Sequence, residues 1–437
     1  MKKIKKWKLF LLYPLLTLCL IVIIFITYKL NQSTVILTEN GIYQRLQVPV
    51  KDKFVDINVY LAGIADKPIF EKDFVEGPIV TYQKDKTISI DWFSEGITHQ
   101  KNYGSDIENF SINTKYSTQD FILPKIDIPL TEIATSPNKI GFFSDVHGDY
   151  QYMITVLKNL KVIDSMGNWD FEDNHLVIVG DMVDRGTEVD KVLWAIVQLS
   201  EQAKKVGGMV HYLIGNHEQY ILKGNFSRVN PKNLYAIQQM MPFEKAYSKQ
   251  TYIGKWLRTR PVILKIGNTL IAHGGVSPQT AEKKYTVQQI NQAMWDYWDE
   301  KSVEDDLKEI ILGKTGITQY RGYIRPNDEI KKATNKEVDQ VLKTYNASRI
   351  IVGHTNVGAI TPLFDGKVYD INAIETCPQA LVLEGENTKI IDVGIVKKDV
   401  STKLSARDFS LFKKNDLKMI SSTIGNIIKL SSIPHPY

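Results

Sequence analysis

Five short apolar segments, each followed by glycine and by side chains able to bind metal, restrict the fold of this chain more than any other feature. They are residues 140–143, 176–179, 212–214, 270–272 and 350–352. Each is short and bounded by polar turn residues, which predicts a buried strand. Residues 150–160 and 189–206, between the first three strands, carry apolar residues at helical spacing. Alternating strands and helices predict a layered α/β domain.

Carboxylate, amide, imidazole and guanidinium side chains follow these predicted strands. In chain order they are Asp145, His147, Asp181, Asp184, Arg185, Asn216, His217, His273 and His354. Ligands of α/β sheets bind beyond the carboxyl ends of strands, so we expect these groups to meet at one rim. Four of the eight histidines lie in these clusters. One cluster alone would indicate a helix cap and a hydrogen-bonded histidine, but five together favour a catalytic site.

The mixture of ligand types predicts the kind of metal. Carboxylate, amide and imidazole ligands suit Mn, Zn, Fe, Co or Ni. Two ions about 3.5–4 Å apart are the arrangement that clamps the attacking and leaving oxygens of a displacement at phosphorus. Such a pair needs a bridging carboxylate, for which Asp181 is the natural candidate.

The order D-x-H, G-D-x-V-D-R-G, G-N-H-E, H-G-G and G-H-T resembles that of the calcineurin-like metallophosphoesterases. The resemblance covers roughly residues 139–395 and is greatest to the phosphoprotein-phosphatase branch, with its Shewanella-like phosphatases and diadenosine-tetraphosphatase-type enzymes. It implies an α/β layered fold, a β-sandwich flanked by helices. Ser144 stands where the family often has glycine. Because Ser144 is not itself a ligand, we expect activity to survive this difference.

The resemblance also implies roles for single residues and two divalent or trivalent metal ions, with Mn, Zn or Fe favoured. One ion would be held by Asp145, His147 and Asp181, and the other by Asp181, Asn216, His273 and His354. A hydroxide bridging the two ions would attack phosphorus in line.

His217 would then protonate the departing oxygen, with Asp184 orienting its ring, and Arg185 would bind phosphate oxygens. For a later phosphate-binding arginine we favour Arg321, and Arg325 remains an alternative. Asp149 is expected to cap a helix and Glu218 to support the ligands by hydrogen bonds.

The expected activity is hydrolysis of phosphate monoesters, on a phosphoprotein or a phosphorylated small molecule. One alternative keeps the metals but makes the protein a diadenosine-tetraphosphatase-like pyrophosphohydrolase or a phosphodiesterase. A remote alternative is a catalytically inactive, membrane-tethered binding protein. Retention of every expected ligand disfavours this last interpretation.

Residues 9–28 form an uncharged apolar run of 20 residues that predicts a transmembrane helix. At 1.5 Å per residue such a helix is about 30 Å long, which matches the hydrocarbon core of a bilayer. The lysine-rich head before it predicts a cytoplasmic amino terminus and a single-pass protein of the cell membrane, with its catalytic domain on the non-cytoplasmic side. The competing interpretation is a cleaved signal peptide, which the lack of an A-x-A site disfavours.

The formal charge of +5 is misleading, because six lysines lie in the first 30 residues, where there is no acid. The remaining residues carry 48 basic and 49 acidic side chains, so we expect no nucleic-acid partner. Cys19 and Cys377 are the only cysteines, which excludes a disulfide framework and a thiolate zinc site.

The predicted domain ranges are 1–34 for the head and anchor, 35–137 for a β-rich region, 138–400 for the metallophosphoesterase domain and 401–437 for a carboxyl-terminal extension. Residues 55–60 and 88–92 alternate at period two, which predicts strands in the β-rich region. We interpret this region as a spacer or a covering layer.

Overall fold

The computed structural model describes residues 6–37, 41–52, 55–64, 68–326, 330–374, 377–394, 406–414 and 416–421. The described helices are α1 Lys6–Asn31, α2 Tyr150–Asn159, α3 Val189–Lys205, α4 Asn216–Leu222, α5 Pro231–Met240, α6 Phe243–Ala246, α7 Tyr252–Arg258, α8 Pro278–Glu282, α9 Val287–Trp298, α10 Asp305–Leu312 and α11 Asn335–Thr344.

The described strands are β1 Thr34–Leu37, β2 Tyr43–Asp52, β3 Val55–Ile64, β4 Val75–Tyr82, β5 Ile88–Ser94, β6 Ile97–Tyr103, β7 Asn109–Asn113, β8 Thr118–Ile122, β9 Glu132–Ile133, β10 Lys139–Phe143, β11 His175–Ile178, β12 Met209–Tyr212, β13 Ile263–Ile266, β14 Thr269–Ala272, β15 Arg349–Val352, β16 Pro362–Leu363, β17 Val368–Asp370, β18 Gln379–Glu384, β19 Asn387–Asp392 and β20 Ala406–Asp408.

The residues group into two compact units, unit one (Met1–Lys72 with Asp399–Tyr437) and unit two (Asp73–Lys398). The predicted β-rich region therefore has residues in both units. Unit one contains α1 and a sheet in the order β20-β1-β2-β3. Its small core consists of the buried side chains Val35, Leu46, Phe409 and Met419.

Helix α1 contains an apolar stretch, Tyr13–Asn31, with a mean hydropathy of 2.1. None of that stretch is buried against the rest of the described chain. By length and composition it is suited to cross a membrane, a property that a signal sequence near an amino terminus shares.

Unit two is built around two sheets, one in the order β12-β11-β10-β18-β19 and the other in the order β16-β17-β15-β14-β13-β9. A core forms between them, to which β11 contributes Val177 and β15 contributes Ile351. Their neighbours Ile178 and Val352 belong to a second core that includes the helices. The strands are therefore apolar on both faces, because each sheet packs on the other sheet on one side and on helices on the other.

The strands of residues 75–122 belong to unit two and pack onto its α/β layers. The rings of Phe110 and Phe121 lie 5.7 and 5.4 Å from the ring of Trp194 in α3. The indole nitrogen of Trp194 donates a hydrogen bond to the carbonyl of Pro78 at 3.0 Å. This part of the predicted β-rich region therefore shares a hydrophobic core with the α/β layers.

The third predicted strand is displaced along the chain. It was expected at 212–214, and the structure has β12 at Met209–Tyr212. β12 is an edge strand whose first residue, Met209, is 38% exposed. Its polar His211 interrupts the apolar run, and this explains why the sequence places the strand too late.

Candidate metal centre

The loops after β10, β11, β12, β14 and β15 bring the predicted site residues together. A cavity of about 430 Å³ lies where they meet, and we call it the metal-site cavity. Its polar lining from the predicted set is Asp145, His147, Asp181, Arg185, Asn216, His217, Arg321 and His354. His273 lies fully buried beneath it, with its Nε2 3.1 Å from Oδ2 of Asp181. The expectation that five strand ends supply one site therefore agrees with the geometry.

Several of these residues have the left-handed backbone conformation, which non-glycine residues rarely adopt. Their φ angles are 56° for Asp145, 49° for His147, 57° for Asp181, 68° for Asp184, 61° for Arg185 and 67° for His354. Each such residue costs about 1–3 kcal/mol, and clustered strain of this kind is typical of functional sites.

Two groups of ligand atoms share Asp181. His147, Asp181 and His217 form one group, and the atoms that each offers lie within 4.8 Å of one another. Asp181, His273 and His354 form a second group by the same measure. Oδ2 of Asp181 lies 3.9 Å from Nε2 of both His147 and His217. Asp181 is thus placed where a carboxylate can face two cations.

Asp145 and Asn216 complete the neighbourhood. Oδ1 of Asn216 lies 3.1 Å from Nε2 of His273. Oδ2 of Asp145 accepts a hydrogen bond from the backbone N–H of His354 at 3.1 Å. Asp145 lies outside the two groups of mutually close atoms, whereas His217, predicted as an acid, belongs to one of them.

Hydrogen bonds from Nδ1 to backbone carbonyls fix the orientation of two imidazole rings. Nδ1 of His147 lies 2.9 Å from the carbonyl of Val183, and Nδ1 of His273 lies 2.7 Å from that of Val179. Since a carbonyl only accepts, each Nδ1 carries the hydrogen and each Nε2 faces Asp181. This is the usual arrangement of histidine ligands of metals.

The protonation preferences show that the site favours a cation. Burial alone would lower the pKa of His273, but the carboxylates of Asp181 and Asp145 raise it to about 10. Burial would raise the pKa of Asp181, yet the neighbouring histidines, with His273 first, hold it far below its ordinary value. A proton on His273 therefore occupies a place that a metal cation can take.

His354 supplies a further observation that fits a metal. Burial lowers the pKa of His354 to about 2, helped by His273 and Arg321, so its ring is neutral. Its Nε2 is buried and has no hydrogen-bond partner among the described residues. A buried polar atom without a partner is costly, and ligation of a cation would satisfy it. The residues present thus fit a metal.

Two glycines allow the loops to approach one another. A β-carbon on Gly180, whose φ is 81°, would lie 2.9 Å from Nδ1 of His273. A β-carbon on Gly215 would lie 2.2 Å from Oδ1 of Asp181. Any side chain at either position would displace a candidate metal ligand.

His217 and Asp184 form a buried pair. Nδ1 of His217 lies 2.7 Å from Oδ2 of Asp184. Burial raises the pKa of Asp184 above its ordinary value, and His217 opposes that effect. Nε2 of His217 lies 3.4 Å from Nη2 of Arg185, on the side of the metal-site cavity. Asp184 therefore orients the ring through Nδ1, and Nε2 faces the cavity, where it could contact a substrate.

Three arginines line the cavity. Arg185 and Arg325 are exposed, and Arg321 is half-buried. Nη1 of Arg321 donates to the carbonyl of His354 and to Oγ1 of Thr355, both at 3.4 Å. These hydrogen bonds hold Arg321 against the loop that carries His354. Arg325 remains a candidate for the later phosphate-binding arginine, because it lines the same cavity.

The expected supporting residues have the predicted contacts. Oδ1 of Asp149 accepts from the backbone N–H of Tyr152 at 3.1 Å and caps α2. Glu218 is fully buried and accepts from the backbone N–H groups of Asp181, Met182 and Gly215 at 2.9, 2.8 and 2.7 Å. It therefore ties the loop after β11 to the loop after β12.

Sequence reasoning missed two polar residues of the lining. Asn356 and Asn372 contribute to the metal-site cavity. Asn372 follows β17, so the rule of polar residues after strand ends would have found it. Asn356 follows His354 by two residues in the same loop.

Comparison with known proteins agrees with this geometry. Residues 138–358 match the model of the calcineurin-like phosphoesterase family. The chain is 26% identical over 223 residues to Shewanella-like protein phosphatase 1 of Plasmodium berghei (strain Anka), a match that covers 50% of this chain and 61% of that relative. The chain thus spans about three fifths of that curated relative.

Two further proteins are similar. The chain is 31% identical over 140 residues to a symmetrical bis(5'-nucleosyl)-tetraphosphatase of Edwardsiella ictaluri (strain 93-146), covering 31% of this chain and 43% of that protein. The crystal structure of a cold-active protein-tyrosine phosphatase of a psychrophilic Shewanella species is 30% identical, with a TM-score of 0.66 over 76% of this chain and 99% of that one. The chain therefore belongs to the calcineurin-like phosphoesterase family and is a metal-dependent phosphoric ester hydrolase.

Proposed function

We propose that this protein is a membrane-anchored phosphatase that uses two metal ions, of Mn, Zn or Fe, to hydrolyse phosphate monoesters. The observation that carries the proposal is the position of Asp181, whose carboxylate belongs to both groups of ligand atoms. Only a bridging ligand needs to face two cations at once.

Asp145, His147 and Asp181 would hold one ion. Asp181, Asn216, His273 and His354 would hold the other. When bound, the ions would lower the pKa of a water molecule and offset the negative charge of the phosphate.

His217 would act as the general acid. Its Nδ1 is held by Asp184 at 2.7 Å, which leaves Nε2, on the cavity side, as the atom that would pass a proton to the departing oxygen. Removal of such an acid costs about 10²–10⁴ in rate, and most for poor leaving groups.

The arginines support a monoester. Arg185 lies beside His217, and Arg321 is fixed to the His354 loop, so both can donate paired N–H groups to phosphate oxygens. A terminal phosphate dianion presents more charge and more oxygens to these donors than a diester does. The similarity to a Shewanella protein-tyrosine phosphatase suggests phosphotyrosine as a substrate to include in the test.

A second candidate function is hydrolysis of dinucleoside polyphosphates. The exposed Arg325 adds a third positive charge to the lining, which would suit a longer phosphate chain. The similarity to a bis(5'-nucleosyl)-tetraphosphatase favours the same candidate.

Rates on four compounds separate these functions: p-nitrophenyl phosphate, bis(p-nitrophenyl) phosphate, a phosphotyrosine peptide and diadenosine tetraphosphate. We expect the two monoesters to be hydrolysed with the highest kcat/KM. Faster turnover of the bis-ester or of the dinucleotide would overturn the monoester assignment.

Asp181→Asn tests the use of two metals. We expect the wild-type chain to contain two metal equivalents by elemental analysis, and the variant to lose metal and activity. Asp339→Asn, at an exposed ion pair with Lys367, is the control. Wild-type turnover in Asp181→Asn would contradict the proposal.

The anchor rests on α1. Its threonine hydroxyls are satisfied within the helix, Thr17 by the carbonyl of Tyr13 and Thr27 by that of Ile23, each at 2.8 Å. In the hydrocarbon core of a bilayer, polar groups need hydrogen-bond partners within the protein, because no water is available there. The lysine-rich head favours an amino terminus in the cytoplasm and a catalytic unit outside it.

Topology is tested by adding protease to intact cells stripped of any outer barrier. We expect residues from about 100 onward to be digested while an amino-terminal tag survives. Protection of the catalytic unit would refute the orientation. Loss of the tag from the mature chain would instead indicate a cleaved signal sequence.

A further inference from the structure

A second cavity of about 280 Å³ lies in unit two at the start of β12. It shares no lining residue with the metal-site cavity. The metal-site cavity is lined by the loop after the carboxyl end of β12, and this second cavity lies at its amino end. Residues 124–130, one face of α3, the start of β12 and the α7 segment surround it. We call it the Arg260 cavity.

The wall of the Arg260 cavity is largely apolar. Leu130, Val197, Met209 and Trp256 are among its lining side chains. Trp256 and Val197 are buried, at 6% and 2% exposure. Its volume is at the small end of the range for ligand sites, so an occupant would be smaller than most drugs.

Arg260 places a positive charge in this apolar wall. The side chain is 8% exposed, and its guanidinium carbon lies 5.0 Å from the centre of the Trp256 ring. Nε donates to the carbonyl of Trp256, and Nη2 donates to the carbonyl of Asp127 and to Oγ1 of Thr259. No described residue accepts a hydrogen bond from Nη1.

Arg260 makes no direct ion pair with a described residue, although the more distant carboxylate of Asp127 partly stabilises its charge. Within the part of the chain that the structure describes, no carboxylate lies within 4.0 Å of its guanidinium. The acids of the cavity, Glu201 and Asp127, lie 2.6 and 3.7 Å from Nζ of Lys204 instead. Burial lowers the pKa of Arg260 to about 10, so it stays charged at neutral pH. A buried cation without a counter-ion in contact is costly, which indicates that an anion belongs there.

A neighbouring hydroxyl adds a second donor. Tyr252 lines the cavity, is 1% exposed, and its hydroxyl has no hydrogen-bond partner among the described residues. Two donor groups match the two oxygens of a carboxylate.

We propose that the Arg260 cavity binds a small monocarboxylate with an apolar body. The carboxylate accepts from Nη1 of Arg260 and from the hydroxyl of Tyr252. The apolar body packs against Trp256, Val197 and Leu130. This site is independent of the metal centre and of the reaction proposed there.

Calorimetry with 2-naphthoate and its uncharged analogue 2-naphthamide tests the proposal. The full-length chain is kept in mild detergent, and detergent alone serves as the blank. We expect saturable 1:1 binding of 2-naphthoate, at least about tenfold tighter than that of 2-naphthamide, because a hydrogen bond to a charged group is among the strong ones. Equal affinity for the two compounds, or no saturation by ~1 mM, would overturn the proposal.

Two substitutions locate the binding. Arg260→Gln should abolish the preference for 2-naphthoate, and an unchanged preference would place binding elsewhere. Because Arg260→Gln also alters contacts to the backbone, the second variant is Leu130→Glu. Leu130 is 65% exposed, so folding should tolerate an acid there, and repulsion should weaken 2-naphthoate binding about tenfold.

Ile128→Glu is the matched control. Ile128 is 66% exposed, lies two residues from Leu130 and does not line the cavity. We expect Ile128→Glu to change the affinity for 2-naphthoate less than about twofold, since solvent and salt screen a charge outside the cavity. Equal weakening by Leu130→Glu and Ile128→Glu would show that the effect is general charge repulsion and would overturn the assignment.

Discussion

Replacing Gly215 by alanine is expected to reduce phosphatase activity strongly while leaving the chain folded. The backbone angles of Gly215, φ −93° and ψ −176°, are ordinary for alanine, so any effect must come from contacts. The added methyl group would lie 2.2 Å from Oδ1 of Asp181, 3.0 Å from its Cγ and 2.7 Å from its backbone nitrogen. Since comfortable contacts are about 3.5 Å, the Asp181 carboxylate must move by more than about 1 Å.

A displacement of that size has a calculable cost. Misplacing a catalytic group by about 1 Å lowers rates on the order of 100-fold, which is about 2.7 kcal/mol of transition-state stabilisation. We therefore expect kcat/KM on p-nitrophenyl phosphate to fall about 100-fold in Gly215→Ala, with a reduced metal content.

The assay is steady-state hydrolysis at saturating Mn²⁺, with elemental analysis and thermal unfolding by circular dichroism. Gly358→Ala is the control, because a β-carbon there meets nothing within 4 Å and its φ is not positive. Activity within about twofold of wild type in a folded Gly215→Ala protein would refute the reasoning that the Asp181 carboxylate must hold this position.

Three further results are expected. His217→Asn should slow alkyl phosphates more than p-nitrophenyl phosphate, and equal slowing of both would argue against its role as acid. Glu218→Gln should lower the free energy of unfolding, measured in urea, by about 3 kcal/mol. The reason is that the new amide nitrogen would face two hydrogen-bond donors, the backbone N–H of Met182 and the hydroxyl of Tyr212. An unchanged urea midpoint would disprove this prediction. Burial raises the pKa of Asp190 to about 6, so the folded chain binds this proton more tightly than the unfolded chain does. The free energy of unfolding should therefore fall by roughly 2–3 kcal/mol as pH rises from about 4 to about 6. In urea titrations Asp190→Asn should show a weaker dependence of this free energy on pH. The same dependence in both proteins would rule out the contribution of Asp190.

The convergence of the candidate ligands could be predicted because they follow a local rule. Asp145, Asp181 and Asn216 each follow the end of a short strand within about four residues, and β10, β11 and β12 are parallel neighbours. Parallel neighbours carry their carboxyl ends to the same edge of a sheet, so sequence order alone brings these side chains together.

The pairing of strands could not be predicted in the same way. Val177 in β11 and Ile351 in β15 belong to different sheets, although both segments have the same apolar pattern. Periodicity reports which faces are buried and not what covers them. The packing of Phe110 and Phe121 on Trp194 likewise depends on residues more than 70 positions apart, which no local pattern encodes.

The pairing of β1 with β20 has a consequence for synthesis. Thr34 lies opposite Asp408, so two strands about 370 residues apart share one ladder. At a translation rate of about 5–20 residues per second, β20 is synthesised roughly 20–70 seconds after β1. This interval is long enough for the intervening unit two to fold first. A nascent or truncated polypeptide ending before residue 406 would combine a folded unit two with an unpaired edge at β1, and such edges pair with other chains.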